Sequence, residues 1–386
     1  MRDIVILGST GSIGVQALEL VAAHRDLFQV VGLSAGSGNL PLLFEQARTF
    51  GVPIVATTAP ASAWRELAGG ISVIDGERAS TELAAISCDL VLNAITGSIG
   101  LGPTLSALAA GNKVALANKE SLVAGGPLVM SFCGDGIDRI IPVDSEHSAL
   151  FQALLVGKRS EVKKLILTAS GGAFRDRDDL RGVTLEEALA HPTWLMGPMV
   201  TINSATLINK GLEIIEAHYL FDLPYSQIEA VIHPQSVVHS MVEYIDGSTM
   251  AQLSPPNMKG PIGYALAYPD RLARATHPVD WSQQQSLDFA PIDTTRFESV
   301  SLARMAGEMG SIATATLNAA NESAVAAFIA RRIHFSAIIE VSKRVLATVD
   351  GGGSGARGEV RDLADVSAIE ENARMIASKV IGGLEF

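Results

Sequence analysis

Short apolar runs alternate with stretches of helical spacing along the first part of the chain. The runs DIVILG, FQVVGLSAG and CDLVLNAI, which begin at residues 3, 28 and 88, predict buried strands. The segment SIGVQALELVAA between the first two predicts a helix. Buried strands separated by helices are typical of a parallel sheet that is covered on both faces. We therefore predict the α/β class, with a doubly wound sheet over residues 1–145.

The region from 146 to 268 has a different pattern. KKLILTASGG, which begins at residue 163, predicts a strand that enters a glycine loop, and residues 201–221 have helical spacing. Residues 228–254 predict strands joined by a hairpin at IDGS, because Asp-Gly favours a tight turn. These elements predict an α+β domain with a mixed or antiparallel sheet.

The last third of the chain contains a predicted linker and a helical part. Residues 269–297 are rich in Pro, Gln, Asp and Thr without clear periodicity, which predicts a linker. Residues 298–386 have helical patterns, interrupted by GGGSG at 351–355, and predict a small helical bundle. A chain of 386 residues is long enough for two or three domains, and no internal repeat is apparent.

Composition and charge narrow the range of partners. Apolar residues make up 48% of the chain and charged residues 18%, so we expect a packed core. The net charge of −12 argues against nucleic acid and anionic membrane, so an anionic ligand needs a local cationic pocket. One long stretch without charge, residues 90–112, is broken by glycines and a proline and predicts strand, loop and helix instead of a membrane span.

The chain has two cysteines, Cys88 and Cys133. Two cysteines form no disulfide framework, which fits a reducing, cytoplasmic location. Cys133 lies in SFCGDG, which is not an obvious setting for a nucleophile. We interpret both cysteines as small buried residues.

The segment LGSTGSIG, residues 7–14, follows the first predicted strand and opens the first predicted helix. Its glycines Gly8, Gly11 and Gly14 have the spacing G-x-x-G-x-x-G, a variant of the dinucleotide fingerprint G-x-G-x-x-G. Such glycines let backbone N–H groups approach a pyrophosphate at a helix N-terminus, where the helix dipole favours anions. A tight turn without a ligand is the alternative. The position of the motif favours dinucleotide binding and a Rossmann-like fold.

The end of the second predicted strand indicates which dinucleotide is bound. NAD-binding folds usually place an acid there, which binds the 2′-hydroxyl of the ribose. The segment LSAGSGNL, residues 33–40, contains no acid that would repel a 2′-phosphate. It contains no arginine either, so the preference for NADP over NAD depends on the missing acid alone.

Two acids stand in PVDSEH, residues 142–147, just after an apolar run. On an extended strand, residues two positions apart point to one side, so Asp144 and Glu146 are expected to face the same way. The carboxyl end of a strand in such a sheet is where ligands bind. Taken alone, the pair fits an acid/base pair, part of a metal site or an ordinary polar loop.

The segment NSATLINKGLEIIEAH, residues 203–218, predicts a helix with two distinct sides. At about 100° per residue, Asn209, Lys210 and Glu213 lie together, opposite the apolar side formed by Leu207, Ile208, Leu212, Ile214 and Ile215. A solvated polar side is the ordinary explanation of such a stripe. However, Ser204 could cap the helix and leave an N-terminus that attracts anions.

The acids suggest a particular kind of metal site. Asp144, Glu146 and Glu213, without cysteine ligands, would form a hard oxygen site that selects Mg²⁺ or Mn²⁺ over zinc. The histidines are spread out without a zinc-binding pair, and we interpret each as a packing or hydrogen-bonding residue. The residues alone therefore indicate a metal-assisted NADP-dependent oxidoreductase.

Seven motifs, taken in order, are similar to those of one enzyme family. They are GSTGSIG, ANKESLV, PVDSEH, LTASGGAFR, HPTWLMG, NSATLINKGLEIIEA and HPQSVVHSMVEYIDGS. Together they resemble the 1-deoxy-D-xylulose 5-phosphate reductoisomerases of the methylerythritol phosphate route to isoprenoids. The resemblance runs from residue 4 to about 270, and the helical tail also fits. Seven ordered motifs are highly specific, whereas no single one would be.

The resemblance implies roles for individual residues, carried over motif by motif. It implies that NADPH is bound by Thr10, Gly11, Ser12, Ile13, Gly36, Asn39, Asn118, Glu120 and Gly197. It implies that Mg²⁺ or Mn²⁺ is bound by Asp144, Glu146 and Glu213. It implies that a phosphorylated sugar is bound by Lys119, Ser145, Glu146, Ser170, His191, Ser204, Asn209, Lys210 and Glu213. Among these, it marks as catalytic Lys119, Glu146, His191 and Lys210.

The resemblance also implies a reaction and an assembly. Family members rearrange a phosphorylated hydroxyketone and reduce the product with NADPH, and they form homodimers. Trp194 and Met196 would lie on a loop that closes over the site. One departure is AGSGN, residues 35–39, where the family often has a shorter run with a basic residue. The alternatives to this interpretation are a semialdehyde or homoserine-type dehydrogenase and a nucleotide-sensing or scaffold protein.

Overall fold

The computed structural model describes residues 1–134, 138–194, 196–350 and 358–385. The chain divides into two compact units. The first unit comprises residues 1–121, 129–148 and 257–277, and the second comprises residues 122–128, 149–256 and 278–386. The predicted interruption of the helical part, GGGSG at 351–355, lies outside the described residues.

The first unit contains a seven-stranded sheet in which every pairing is parallel. Its strands are β1 (Arg2–Leu7), β2 (Phe28–Ala35), β3 (Ile54–Thr57), β4 (Ser72–Asp75), β5 (Leu90–Asn93), β6 (Lys113–Leu116) and β7 (Ile140–Pro142). Their order is β4-β3-β2-β1-β5-β6-β7. The predicted doubly wound sheet is therefore confirmed. The edge strand β4, which has four residues and no fully buried side chain, was not predicted.

The second unit contains a five-stranded mixed sheet. Its strands are β8 (Val162–Ala169), β9 (Ile228–Ile232), β10 (Val238–Tyr244), β11 (Thr249–Leu253) and β12 (Ala290–Pro291), in the order β11-β10-β8-β9-β12. β8 and β9 are parallel and the other pairs are antiparallel. The hairpin predicted at IDGS joins β10 to β11, and Gly247 has the positive φ of 87° that its turn requires. β12 lies inside the predicted linker 269–297.

Fifteen helices accompany the two sheets in the described residues. Those up to the second sheet are α1 (Ser12–Ala23), α2 (Leu40–Phe50), α3 (Ala61–Trp64), α4 (Ala79–Ala84), α5 (Leu101–Ala109), α6 (Glu120–Met130) and α7 (Ser145–Leu154). The later ones are α8 (Leu185–Leu189), α9 (Pro198–Ala205), α10 (Ile208–Phe221), α11 (Lys259–Ala267), α12 (Glu298–Met309), α13 (Ser311–Ile329), α14 (Ala337–Asp350) and α15 (Leu363–Gly382). None of them, over the residues described, has both the length and the apolarity of a membrane span.

The stretch 201–221, predicted as one helix, is two helices. α9 ends at Ala205 and α10 begins at Ile208, because Leu207 between them has a left-handed backbone with φ 57°. A buried leucine in this region is strained by about 1–3 kcal/mol, so the surrounding packing must hold it there. The consequence is that the residues of NSATLINK lie on two separate helices.

The C-terminal helices share a core with α9. Ile202 and Ala205 of α9 belong to the same buried apolar cluster as residues of α13, α14 and α15, among them Val325, Val345 and Ala377. Helical packing predicted for residues 298–386 is therefore present, and it extends over α9. In the first unit, α11 packs against α1, where Lys259 pairs with Glu19 at 2.7 Å. The predicted boundaries at 145, 268 and 297 stay predictions.

Candidate active site

The glycine loop after β1 has a shape that only glycine permits. Gly8 has φ 78°, and a Cβ atom there would lie 2.7 Å from the carbonyl oxygen of Ala94. A Cβ atom on Gly14 would lie 2.4 Å from the carbonyl oxygen of Gly8. Gly11 is the N-cap of α1 and has no side-chain cap, so the first N–H groups of α1 can serve a ligand. The predicted cofactor residues Thr10, Ser12 and Ile13 lie in this loop and first turn.

Buried hydrogen bonds fix the glycine loop to the neighbouring strand and helix. The N–H groups of Gly8 and Ser9 donate to the carbonyl of Ser34 in β2, at 2.9 and 2.8 Å. The Ser9 hydroxyl donates to the Gln46 side chain of α2 at 2.8 Å, and the Gln46 amide returns a bond to the Ser9 carbonyl at 3.0 Å. The loop is therefore pre-organised without a ligand.

The predicted adenosine end lies after β2. Gly36 precedes a single turn of 3-10 helix, Ser37–Asn39. The side chain of Asn39 accepts the N–H of Leu42 at 3.3 Å and caps α2. Asn39 therefore has a structural role in addition to its predicted cofactor contact, which stays a prediction.

Asn118, a predicted cofactor residue after β6, is buried with 1% of its surface exposed. Its amide donates to the carbonyl oxygens of Ile95 and Gly97, at 2.7 and 2.8 Å, and to the carboxylate of Glu120 at 2.9 Å. Its oxygen accepts the backbone N–H of Ser121 at 2.9 Å. Asn118 thus holds the loop after β5 and also orients Glu120, another predicted cofactor residue.

In the first unit, Lys119 forms an ion pair with Asp144 at 2.6 Å, and 12% and 13% of their side chains are exposed. Lys119 follows β6 and Asp144 follows β7, and these strands are parallel neighbours. The carboxyl ends of parallel neighbours meet at one edge of a sheet, which explains why two residues so far apart along the chain are paired. The hydroxyl of Ser145 donates to the carboxylate of Glu146 beside them.

The expected extended geometry of Asp144 and Glu146 is wrong. β7 ends at Pro142, and Ser145 and Glu146 form the first turn of α7. The carbonyl of Asp144 accepts the N–H of Ser148 at 2.8 Å, so Asp144 begins the helix. The two acids are related by a helical first turn, which also places negative charge at the favoured end of the helix dipole.

In the second unit, Lys210 and Glu213 on the polar side of α10 are buried and Asn209 is half-buried, contrary to the ordinary expectation of a solvated stripe. Lys210 and Glu213 form an ion pair whose side chains are only 4% and 1% exposed. Asn209 donates to the same carboxylate, and Lys210 donates to the carbonyl of Thr168 at the end of β8. Burying either charge alone would be very costly, so the pair and its hydrogen bonds must be maintained together.

The expected capping role of Ser204 is wrong. Ser204 lies near the end of α9, and the N-cap of α10 is Leu207, which has no side-chain cap. Instead, the carbonyl of Ser204 accepts the N–H of Leu207 at 3.1 Å, within the break between the helices. A Cβ atom on Gly172 would lie 2.5 Å from that carbonyl, so the glycine loop after β8 passes directly over Ser204.

Ser170 and His191, both predicted substrate residues, contact one another. His191 Nδ1 accepts the N–H groups of Thr193 and Trp194, at 3.1 and 2.9 Å, so in the neutral ring Nε2 carries the proton. Nε2 then donates to the hydroxyl oxygen of Ser170 at 3.0 Å, which also accepts the N–H of Gly172 at 3.2 Å. The Ser170 hydroxyl can therefore donate its own hydrogen to a ligand oxygen.

The environment of His191 favours its neutral form. Burial lowers the pKa of His191 below its usual value of 6.5, and the positive charge of Arg175 lowers it further. The hydrogen bonds agree with this direction, because a protonated Nδ1 could no longer accept the two backbone N–H groups.

Arg296, in the predicted linker, holds the segment between the glycine loop after β8 and His191. Its guanidinium donates to the carbonyl oxygens of Arg175 and Arg177, at 2.6 and 3.0 Å. Further along, the Trp194 ring packs edge-on against His239, with ring centroids 6.1 Å apart. Gly197, a predicted cofactor residue, is the N-cap of α9.

Several residues that shape the site were not predicted. Asn93, Thr104 and Ser121 form a buried polar network behind Asn118, while Thr168 and Arg296 position groups in the second unit. Asn93, Thr104 and Ser121 stand among apolar residues in the sequence, so no polar pattern marks them. Arg296 stands in a segment without periodicity. The buried asparagine in CDLVLNAI, between apolar residues, was the one available signal.

A parallel sheet with a glycine loop at its switch point is typical of proteins that bind a dinucleotide, among them the nucleotide-dependent oxidoreductases. The chain matches the family model "1-deoxy-D-xylulose 5-phosphate reductoisomerase" over residues 4–126. Residues 140–221 match "1-deoxy-D-xylulose 5-phosphate reductoisomerase C-terminal domain", and residues 253–376 match "DXP reductoisomerase C-terminal domain".

Known proteins agree with these matches. The 1-deoxy-D-xylulose 5-phosphate reductoisomerase of Streptomyces coelicolor is 50% identical, over 98% of this chain and 92% of the relative. That of Kitasatospora griseola is 51% identical, over 98% of this chain and 100% of the relative. The chain therefore belongs to the 1-deoxy-D-xylulose 5-phosphate reductoisomerase family, as the seven motifs predicted.

Solved structures of this family have the same fold. A crystal structure of DOX-P reductoisomerase in complex with NADPH, fosmidomycin and magnesium has a TM-score of 0.92 and 37% identity, covering 99% of this chain and 98% of the other. The enzyme from Zymomonas mobilis in complex with NADPH has a TM-score of 0.90 and 37% identity, covering 99% of this chain and 100% of the other.

Proposed function

We propose that this chain catalyses the NADPH- and divalent-metal-dependent rearrangement and reduction of 1-deoxy-D-xylulose 5-phosphate to 2-C-methyl-D-erythritol 4-phosphate, a step in isoprenoid precursor biosynthesis. The single observation that carries the proposal is membership of the family over 98% of the chain, with its seven motifs intact. The groups described above provide suitable chemistry for each requirement of the reaction.

Asp144, Glu146 and Glu213 are proposed as ligands of Mg²⁺ or Mn²⁺. The donor set fits such an ion, because it offers carboxylate oxygens and no thiolate. When bound, the ion supplies a Lewis acid that chelates and polarises adjacent oxygens of the substrate. Asp144 is paired with Lys119 and Glu213 with Lys210, so both carboxylates are held in place before an ion arrives.

Ser170, His191, Ser204, Asn209 and Lys210 are proposed to bind the substrate, several of them at its phosphate. Neutral His191 orients the Ser170 hydroxyl so that its hydrogen can be donated to an anionic oxygen. The chain has a net charge of −12, so binding of a phosphate requires a cationic group close to it. Lys210 provides such a group. Fixing the phosphate far from the reacting carbons helps to align them.

NADPH is proposed to lie along the carboxyl edge of the parallel sheet. The N-terminus of α1 would bind its pyrophosphate, and the segment after β2, which has no acid, would accept the 2′-phosphate. When bound, NADPH supplies the hydride that reduces the rearranged aldehyde. Trp194 and Met196 are proposed to close over the site and to exclude water from the reactive intermediate.

We also infer a homodimer and a cytoplasmic location. The homodimer follows from the family resemblance. The location is inferred from Cys88 and Cys133, which are both free thiols.

Product identification tests the proposed function. Purified full-length chain is incubated with NADPH, Mg²⁺ or Mn²⁺ and deoxyxylulose phosphate, and the product is identified by carbon NMR. We expect a branched methylerythritol phosphate and one NADPH oxidised per molecule. A linear reduced sugar would instead indicate an ordinary dehydrogenase, and nucleotide binding without turnover would indicate a sensing protein. An unchanged rate in excess chelator would refute the metal requirement.

A further inference from the structure

The break between α9 and α10 separates two residues that both remain accessible. Eight of the ten residues 201–210 are buried, whereas Ser204 and Asn209 are half-buried. These two stand five positions apart, so in one continuous helix, at about 100° per residue, their side chains would point about 140° apart. The left-handed backbone of Leu207 interrupts the helix between them. The break therefore decides how Ser204 and Asn209, both proposed substrate residues, are placed relative to each other.

The local sequence does not favour this break. A left-handed backbone crowds the Cβ atom of an ordinary side chain, and Leu207 has no polar group that could compensate by a local hydrogen bond. Such a conformation persists only where the surrounding structure over-determines it, and strained residues of this kind are concentrated at functional sites. The side chains that hold the break are therefore candidates for a role in the function.

Helix α12 provides one of these side chains. Thr206 is the C-cap of α9, and carbonyl groups at the end of a helix lack a partner within the helix. The hydroxyl of Ser299 in α12, which is completely buried, donates to the Thr206 carbonyl at 2.6 Å. α12 can approach so closely because Gly211 has no side chain, and a Cβ atom there would lie 2.5 Å from the Cβ of Ala303.

Helix α13 provides the other side chain. The amide of Asn321 donates to the side-chain oxygen of Asn203 in α9 at 3.0 Å, and the two residues are 1% and 5% exposed. Their sequence neighbours Ala320 and Ile202 belong to the buried apolar cluster. Asn321 Oδ1 accepts no hydrogen bond from the residues that the structure describes. Because an unpaired buried oxygen costs stability, the amide pair is better explained by the position it gives α9 than by the stability it adds.

We propose that Ser299 and Asn321 are positioning residues for substrate binding. They hold the break from α12 and α13, and thereby fix Ser204 and Asn209 in the arrangement that binds the phosphate of the substrate. This inference rests on the proposed function, in which Ser204 and Asn209 bind the phosphorylated sugar. Ser299 and Asn321 stand outside the seven motifs of the family resemblance. The C-terminal helices thus determine phosphate affinity through α9 and without contacting the substrate.

Two variants of the full chain remove the bonds that hold the break. Ser299→Ala removes the hydroxyl that donates to Thr206, and a double variant, Asn203→Leu with Asn321→Leu, removes both amides. Replacing both partners of a buried hydrogen bond by apolar groups of similar shape is nearly neutral for stability, so the double variant separates positioning from stability. Asn203→Asp is the conservative variant, because its carboxylate can still accept the hydrogen of the Asn321 amide.

Two controls lose a comparable bond away from the break. Ser342→Ala removes a completely buried hydroxyl that donates to the carbonyl of Ile338 within α14, at 3.2 Å. Asn318→Leu removes an amide, 1% exposed, that donates to Glu322 within α13, also at 3.2 Å. For every variant we measure kcat and KM for deoxyxylulose phosphate, the Ki of inorganic phosphate as a competitive inhibitor, the Kd of NADPH and the free energy of unfolding in urea.

We expect Ser299→Ala and the double variant to raise KM for deoxyxylulose phosphate and the Ki of inorganic phosphate together, about tenfold, the effect of losing one hydrogen bond to a charged group. The value of kcat should change less than about threefold, because the groups at the reacting carbons are not moved. The Kd of NADPH should stay at its wild-type value. Asn203→Asp and both controls should keep the wild-type KM and Ki, whatever their effect on unfolding.

A variant that keeps the wild-type KM and Ki would overturn the inference for the residue that it replaces. A rise in KM without a rise in the Ki of inorganic phosphate would overturn it as well, because the phosphate site would then be unchanged. Equal rises in the controls would show that the loss of any buried bond among these helices is sufficient, which also contradicts a positioning role. If the wild-type chain does not convert deoxyxylulose phosphate, the proposed function itself fails.

Discussion

Lys210 and Glu213 are paired within one turn of α10, and less than a twentieth of either side chain is exposed. Glu213→Gln keeps the shape but removes the carboxylate that balances the buried ammonium. We expect turnover to fall more than about 100-fold, because a proposed metal ligand is lost. The free energy of unfolding should fall by roughly 3 kcal/mol, which is the typical cost of breaking a buried ion pair. NADPH affinity should stay within about twofold, because the proposed cofactor residues other than Gly197 lie in the first unit.

The control for this variant is Glu229→Gln. Glu229 also pairs with a lysine, Lys164, at 2.9 Å, but half of its side chain is exposed, so its removal should change neither turnover nor stability appreciably. Steady-state kinetics, NADPH titration and urea unfolding check both variants. Wild-type turnover in Glu213→Gln would refute the assignment of Glu213 as a metal ligand.

Protonation of His191 should lower kcat/KM for the sugar phosphate at acidic pH. Its neutral form is favoured above its depressed pKa, and protonation of Nδ1 breaks the two bonds from Thr193 and Trp194. We expect kcat/KM for the sugar phosphate to fall as the pH is lowered from 6.5 through that depressed pKa. The unfolded chain binds more protons than the folded chain in this range, so this group also makes folding less favourable as the pH falls.

The variant His191→Gln tests whether His191 causes this fall in kcat/KM, which forms the acidic limb of the pH profile. It should raise KM for the sugar phosphate and remove the acidic limb from the pH profile of kcat/KM. His277→Gln, at an exposed position in the first unit, should keep the limb and serves as the control. Persistence of the same limb in His191→Gln would show that another group titrates.

Gly14→Ala should remove NADPH binding. The added Cβ would lie 2.4 Å from the carbonyl oxygen of Gly8 and 2.5 Å from the Cα of Ser9, and backbone atoms cannot move aside as a flexible side chain can. We expect the Kd of NADPH to rise more than about 100-fold, with a lower melting temperature. Gly382→Ala, where nothing lies within 4 Å, should change neither. Wild-type NADPH affinity in Gly14→Ala would mean that the loop does not bind the pyrophosphate.

Arg296 should control how well the loop before His191 is positioned. Arg296→Ala removes the bonds to the carbonyls of Arg175 and Arg177, so we expect KM for the sugar phosphate to rise about tenfold with little change in NADPH affinity. Arg296→Lys should not restore KM, because one ammonium cannot reproduce the guanidinium fork. Limited proteolysis should cut the loop faster in both variants.

The control for the loop is Arg331→Ala. Arg331 pairs with Glu186 on the surface, where 63% of the arginine side chain is exposed, so its removal should leave KM unchanged. If Arg296→Ala retains the wild-type KM and the wild-type rate of proteolysis, Arg296 has no part in positioning the loop.

Local sequence patterns were enough to predict most of the fold. The strands β1, β2, β5 and β8 each contain a run of apolar residues, and this run is the main signal of a buried strand in a parallel or mixed sheet. The hairpin at IDGS was predictable for a similarly local reason, since Asp-Gly favours one turn geometry. The edge strand β4 was missed because it buries almost nothing, and so has no apolar signal.

The break in the helix of NSATLINK was not predictable from its spacing. Both sides of the break have helical periodicity, and the left-handed backbone of Leu207 is favoured by packing and disfavoured by the local sequence. Likewise, a polar stripe such as Asn209, Lys210 and Glu213 on an amphipathic helix normally faces water. Only the surrounding elements of the second unit determine that Lys210 and Glu213 are buried.

The sequence by itself determined the class of fold, the family and the residue types that the chemistry needs, because those depend on short-range periodicity and on ordered motifs. Tertiary structure decided which of these residues touch. It paired Lys119 with Asp144 through the meeting ends of β6 and β7, and it brought Ser170 into contact with His191. These relationships depend on strand order and burial, which are properties of distant contacts, and no local pattern encodes them.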